Sequence, residues 1–259
     1  MDWTFDVDGP VAADIQVAAG RIELAEAAGT PLRVLVEPLS GSRRAEELTR
    51  RTEVGLDGGR LRVLVPDQTF NPPPLLVRIT LPAGSRVSAT TASADLTAPL
   101  GLAAFEWSSA SGDVELGDVT GNVRIRTASG DLRCGAVGGR LSVAGASADV
   151  RIDSTEAEAD IQLASGDVRL ARAEGSVRVR TASGDIAVER AAAGRVDLDS
   201  KSGDVRVGVA AGTGARLDAS SLSGKLVCDL PVEDGGTADA TLEVVCHTLS
   251  GDVHIVGAG

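Results

Sequence analysis

The chain has 259 residues, a net charge of −12, and 43% hydrophobic residues, yet only 2% aromatic residues and no Tyr. An acidic surface excludes nucleic acid and anionic membrane as partners, since both select basic proteins. No apolar run reaches the roughly 18 residues of a membrane span, and a core almost without rings must be thin and filled by Val, Leu, Ile and Ala.

The opening, MDWTFDVDGP, is acidic and has no basic stretch leading into an apolar one, so no secretory signal is visible. The expectation is a cytoplasmic protein, with association at a surface left open. Strand-like runs follow at Ile15–Leu24, Leu32–Glu37, Leu61–Val65 and Leu75–Leu81. Between them SRRAEELTRRT, residues 42–52, predicts a short helix with Ser42 as N-cap. Asn71-Pro72-Pro73-Pro74 breaks any regular element. Residues 1–85 read as a β-rich N-terminal cap over an end that would otherwise expose raw strand edges.

From residue 86 to 259 the chain repeats. TASGD occurs at Thr127–Asp131 and again at Thr181–Asp185, with TASAD at Thr91–Asp95. The glycine position of this motif falls at Ala94, Gly112, Gly130, Ala148, Gly166 and Gly184, each 18 residues apart. It continues at Gly203, Gly224 and Gly251 with steps of 19, 21 and 27, so residues 90–208 are regular and 209–259 irregular. Each 18 splits into two nonapeptides, such as SGDVELGDV and TGNVRIRTA. Their fourth and sixth places are apolar (Val114/Leu116, Val123/Ile125, Leu132/Cys134, Leu141/Val143, Val150/Ile152, Val168/Leu170) and the fifth is polar or charged. That alternation marks a strand with one buried face, and the Gly supplies a turn.

Two short strands per identical 18-residue coil predict an all-β fold, a single-stranded parallel β-helix or β-solenoid, with coils stacked ~4.8 Å apart. A propeller needs about 40 residues per blade, and a sandwich has no reason for a strict period. The narrow bore explains the missing rings. All five (Trp3, Phe5, Phe70, Phe105, Trp107) precede Ser108. The C-terminal coils from Arg216 onward are expected to taper the far end, their acidity (Asp218, Asp229, Glu233, Asp234, Asp239, Glu243, Asp252) discouraging end-to-end growth.

In a solenoid, equivalent residues queue. Gly112, Gly130, Gly166, Gly184, Gly203 and Gly251 would form a structural turn ladder with Asp113, Asp131, Asp149, Asp167, Asp185, Asp204 and Asp252. One reading has each Asp cap its own corner through backbone N–H groups two residues on. The other is a calcium ladder, as in nine-residue Gly/Asp rolls. Calcium wants roughly six to eight oxygens, and the second half-coil offers Asn122, Arg140, Glu158 or Ser176 instead, so the structural reading is preferred. Two residues after Asp131, Asp149, Asp167 and Asp204 stand Arg133, Arg151, Arg169 and Arg206, a possible interaction face in which Arg and Asp rows would neutralise each other.

Other chemistry is sparse. Cys134, Cys228 and Cys246 have no disulfide or metal spacing and are expected to be small buried hydrophobes in a reducing compartment. Cys246 and His247 are adjacent, so on a strand they face opposite ways and form no dyad. VAAGTGARL, residues 209–217, lacks the spacing and Lys of a phosphate loop.

The segments TFDVDGPVAADIQVAAGRIEL, GGRLRVLVP and VRITLPAGSRVSATTASADL, with the SGD coils after them, resemble the bacterial "putative adhesin" family of β-strand repeats over almost the whole chain. The resemblance implies a β-helical fold and carries no catalytic residues or cofactor. The sequence therefore reads as a non-enzymatic structural or interaction module whose charged, repetitive surface meets a protein partner or another copy of itself. The rival class is a glycan lyase or hydrolase on a β-helix frame, and the third a cation-binding repeat.

Overall fold

The computed structural model describes residues 1–27, 31–66, 72–230 and 241–258. Phe70, Asn71, Glu233, Asp234 and Asp239 lie outside the described residues. The chain is a parallel β-solenoid divided into two compact units, Met1–Gly135 and Ala136–Gly259.

In the first unit the elements are β1 (Asp2–Phe5), β2 (Ala12–Glu26), β3 (Leu32–Pro38), α1 (Arg43–Arg51), β4 (Glu53–Asp57), β5 (Arg60–Leu64), β6 (Leu75–Leu81), β7 (Ser85–Ala98), β8 (Leu102–Ser111), β9 (Val114–Leu116) and β10 (Val123–Ser129); β11 (Leu132–Val137) begins there. Helix α1 sits where the sequence predicts it. The Ser42 hydroxyl accepts from the Ala45 amide at 3.2 Å, satisfying one of the orphan donors of the first turn. Ala45, Leu48 and Thr49 form its buried side.

Strand β2 is not merely part of a cap. It runs parallel to β7, with Gly20 beside Ala94 and Arg21 beside Asp95, and parallel to β5 and β6 on its other side. It is the first lap of the stack. The departures from parallel order are β1–β3, β3–β6 and β4–β5. The last is a hairpin whose two loop residues, Gly58 and Gly59, both have positive φ (55° and 75°), as a tight primed turn requires. Asp57-Gly58-Gly59-Arg60 is a hairpin signal, and with it strand β4 was legible although the periodic reading passed over it.

Coils then follow in strict register: β7 on β8 and β9, β8 on β10, β9 on β11. Phe105 and Trp107 are buried inside this stack and not in a separate cap. Trp107 fits because its neighbour across one strand pair is Ala89, while Ile125 covers the other side. The two rings stack with centroids 6.5 Å apart.

The second unit contains β12 (Leu141–Ser147), β13 (Val150–Thr155), β14 (Ala159–Ser165), β15 (Val168–Ala173), β16 (Val177–Ser183), β17 (Ile186–Ala191), β18 (Gly194–Ser202), β19 (Val205–Ala210), β20 (Ala215–Ser223), β21 (Leu226–Asp229), β22 (Leu242–Ser250) and β23 (Val253–Ala258). One face is built from β12, β14, β16 and β18, the other from β13, β15, β17 and β19, all parallel. Inward places four and six are buried throughout: Val150, Ile152, Val168, Leu170, Val177, Val179, Ile186 and Val188 are at most 2% exposed.

The end of the stack corrects the simple taper. Strand β18 pairs with β22, and β22 with β20. Likewise β19 pairs with β23, and β23 with β21. The last coil in the sequence is therefore inserted beneath the one before it, and Ala215–Asp229 forms the outermost lap.

Candidate interaction surface

The corner of each coil is fixed by two bonds of opposite sense. In the first unit the amides of Asp113 and Asp131 donate to Oδ1 of Asp95 and Asp113, at 3.1 and 2.9 Å. In the second unit the amides of Asp167, Asp185, Asp204 and Asp252 donate to Oδ1 of Asp149, Asp167, Asp185 and Asp204, at 2.8–3.0 Å. In return each of these Asp carbonyls accepts from the preceding coil: the Val168 N–H donates to Asp185 O at 2.9 Å. The Asp thus does not cap its own corner. Its carboxylate supplies the acceptor that the next coil's amide lacks when the backbone turns away from the ladder.

Ala94 and Ala148 precede Asp95 and Asp149, but at the other six corners the glycine before the Asp is required by contact as well as conformation. Gly112, Gly130, Gly166, Gly184, Gly203 and Gly251 have φ between 122° and 149°. A Cβ on Gly184 would lie 2.1 Å from the carbonyl oxygen of Gly166.

The first unit's end of the Asp row meets Arg21, and the second unit's meets Lys225, whose amide donates to Asp252 Oδ1 at 2.8 Å. Among the described residues no three His, Cys, Asp or Glu side chains converge as a metal cluster would.

The four arginines of the predicted face have different surroundings. Arg133 lies across from Glu115 and borders an open groove of about 310 Å³ with Arg21, Asp95 and Asp113. Arg151 lies 3.7 Å from Asp149 and directly across from Arg169. The Arg169 guanidinium donates to Glu189 Oε1 at 2.7 Å. Arg206 stands between Ala187 and His254. Of these four, Arg151 thus pairs with the Asp row and Arg169 with a glutamate; Arg140–Glu158, Arg190–Glu174 and Arg195–Glu243 are further pairs with glutamate, outside these four. Asp149 serves both roles, its Oδ1 accepting from the Asp167 amide and its Oδ2 facing Arg151. The opposite face carries its own lattice, with Arg178 between Asp160 and Asp197, and Arg180 between Gln162 and Asp199.

Only part of the cysteine expectation holds. Cys134 and Cys246 are buried, but Cys228 is exposed. Burial, reinforced by Asp197, pushes the Cys246 thiol up to about 12. Its neighbour His247 points outward to the Ser220 hydroxyl at 2.8 Å, so the two form no dyad.

A family model described as "Toastrack DUF4097" matches residues 59–256. The chain belongs to the Toastrack DUF4097 family. Solved structures similar to this Toastrack chain include a "putative adhesin" from Bacteroides fragilis NCTC 9343, 14% identical, covering 98% of this chain and 96% of that one with a TM-score of 0.42. Another "putative adhesin", from Parabacteroides distasonis ATCC 8503, is 9% identical with coverages of 98% and 96% and a TM-score of 0.43. A "putative lipid binding protein" from the same strain is 12% identical with coverages of 100% and 96% and a TM-score of 0.43. No curated protein matches the chain. No helix among the described residues is long and apolar enough to cross a membrane.

Proposed function

We propose that this Toastrack chain is a non-enzymatic interaction module whose charged strand faces bind a protein partner. The observation that carries this reading is the juxtaposition of Arg151 and Arg169 on adjacent strands of one flat face, with Arg206 further along it. Like charges directly opposite each other destabilise a sheet; the Arg151–Asp149 and Arg169–Glu189 pairs offset part of that cost and leave the two arginine side chains 46% and 65% exposed. A partner presenting carboxylates at strand spacing would offset the remainder and gain a register from the ~4.8 Å repeat. The grooves that exist, such as the one of about 400 Å³ bordered by Glu158, Ser176, Arg178 and Arg195, are open. Their charged groups are held in ion pairs: Arg178 with Asp197, Arg195 with Glu243. That arrangement suits docking over an extended surface more than enclosing a small substrate.

The test uses the intact chain as bait in extract from its native host, alongside a variant with Arg151, Arg169 and Arg206 changed to Glu. The reading expects a captured protein that the variant releases and that leaves as salt rises. Equal capture by both baits removes the face from consideration. Turnover in a screen of polyuronates and other glycans would replace the reading with the enzymatic one.

A further inference from the structure

Six large apolar side chains are exposed among the described residues, and four of them, Leu217, Leu222, Leu226 and Leu249, lie in the last two stacked coils of the second unit. At the corner place where earlier coils carry Ala164 and Ala182, these two carry Leu249 and Leu222, the latter 83% exposed. Among the described residues β20 pairs only with β22, and β21 only with β23. Their outer edges therefore present unpaired N–H and C=O groups, a template for another strand. Leu217 belongs to the inward row, opposite the fully buried Val244, yet is 36% exposed, and no coil among the described residues pairs with its outer edge.

We propose that this end joins two copies of the chain, with β20 running antiparallel to β20 of the second copy. Two observations select this occupant. The first is charge. Arg216 and Asp218 flank Leu217 on the outward face and both are exposed. An antiparallel pairing centred on Leu217 sets Arg216 opposite Asp218 of the second copy, and Asp218 opposite its Arg216. The inward row closes at the same time, Leu217 on Leu217 and Ala215 on Ala219. The edge is self-complementary, as a two-fold interface demands.

The second observation is Lys225. Every corner from Asp149 to Asp252 offers a carboxylate to the amide of the next coil, and Lys225 occupies that place in the outermost one. A coil added in parallel finds an ammonium where its amide needs an acceptor. Head-to-tail growth into a filament is blocked, whereas an antiparallel join does not use that bond. The surface is separate from the Arg151/Arg169/Arg206 face, so the join stands or falls independently of partner binding.

Sedimentation of the full chain tests it. The wild type sediments at twice 26.3 kDa in a concentration-dependent equilibrium. Arg216→Asp and Asp218→Arg each set like charges opposite one another and weaken the dimer about tenfold or more. The double variant, with the charges exchanged, restores it. Arg216 also lies across from Glu243 of its own chain, so the fold of each variant is checked by circular dichroism, and the double variant, which carries the same change opposite Glu243 as Arg216→Asp, separates loss of the join from loss of the fold. A wild type that stays monomeric at high micromolar concentration overturns the proposal. Open-ended polymers also overturn it, and so do single variants that dimerise as tightly as the wild type.

Discussion

The amide of Lys225 donates to the carboxylate of Asp252 at 2.8 Å, although Asp252 comes 27 residues later in the chain. The bond reverses the sense of the corner ladder relative to sequence. Everywhere else in the second unit the earlier Asp receives the later amide; here the later Asp receives the earlier one. The coil of β22 and β23 is the cause, since it lies between β18/β19 and β20/β21.

Hydrogen exchange should expose that inversion. A strand near a chain terminus ordinarily frays first. Strand β22 instead has a neighbour on both edges, and Leu242, Val244 and Cys246 are fully buried. At concentrations where the chain is monomeric, we expect the amides of Val244 and Cys246 to exchange more slowly than those of Leu217 and Ala219 in β20. The opposite order would mean that the chain stacks in sequence order after all.

The Asp ladder predicts a graded response at Asp167. Its Oδ1 accepts from the Asp185 amide at 2.9 Å, and its own amide donates to Asp149. Asp167→Ala removes the acceptor and should cost about 1–3 kcal/mol in urea unfolding, the range for a hydrogen bond to a charged group. Asp167→Asn keeps a neutral acceptor in place and should cost roughly half as much. An Asn variant as damaged as the Ala variant would show that the charge, not the acceptor, matters. Because the acceptor is used within the solenoid, millimolar calcium should leave the melting temperature of the wild type unchanged.

The turn glycines should be far less tolerant. Gly184 has φ 143° and its added Cβ would lie 2.1 Å from a backbone oxygen that cannot rotate away. Gly184→Ala should therefore lose about 3 kcal/mol or more. The matching swap, Ala148→Gly, occupies the same motif position and introduces no contact. It should change stability by less than about 1 kcal/mol. Thermal melts of the pair separate a steric requirement at Gly184 from a general preference for glycine at corners.

These contrasts mark what the sequence could and could not convey. An invariant spacing of 18 between Gly112 and Gly130, or Gly166 and Gly184, reflects one coil of fixed circumference, so the stack and its register were legible. Place four and place six were legible for the same reason, since Val168 and Leu170 must repeat over Val150 and Ile152. Steps of 19, 21 and 27 at the end preserve the motif but say nothing of order, because insertion of a coil depends on which neighbour it buries best. Strand β2 was legible as a strand at Ile15–Leu24, but its place in the stack was hidden because Gly20 carries no SGD letters; its approach to Leu75 and its position beside Ala94 reveal it. The Arg151–Asp149 pair was legible two places apart on one strand, whereas Arg169–Glu189 was not, because the letters two places from Arg169 name Asp167 and say nothing of a residue 20 positions on.

The three cysteines give a chemical readout of the same burial pattern. Cys228 on the outer lap is exposed and should react with a thiol reagent at pH 8 in the native state, while Cys134 and Cys246 react only after unfolding. Cys246 adds a pH dependence. Its thiol is raised from the ordinary 9.0 to about 12, so the native state holds the proton more tightly than the unfolded chain. That contribution is fully present below pH 9 and is lost progressively as pH rises toward 12, by about 1.4 kcal/mol per pH unit. Cys246→Ala removes the titrating group and should flatten this part of the stability profile, at the cost of a lower stability at neutral pH from the small cavity it leaves. Urea midpoints of wild type and variant between pH 8 and 11 measure the difference, and parallel profiles would show that the alkaline loss arises elsewhere.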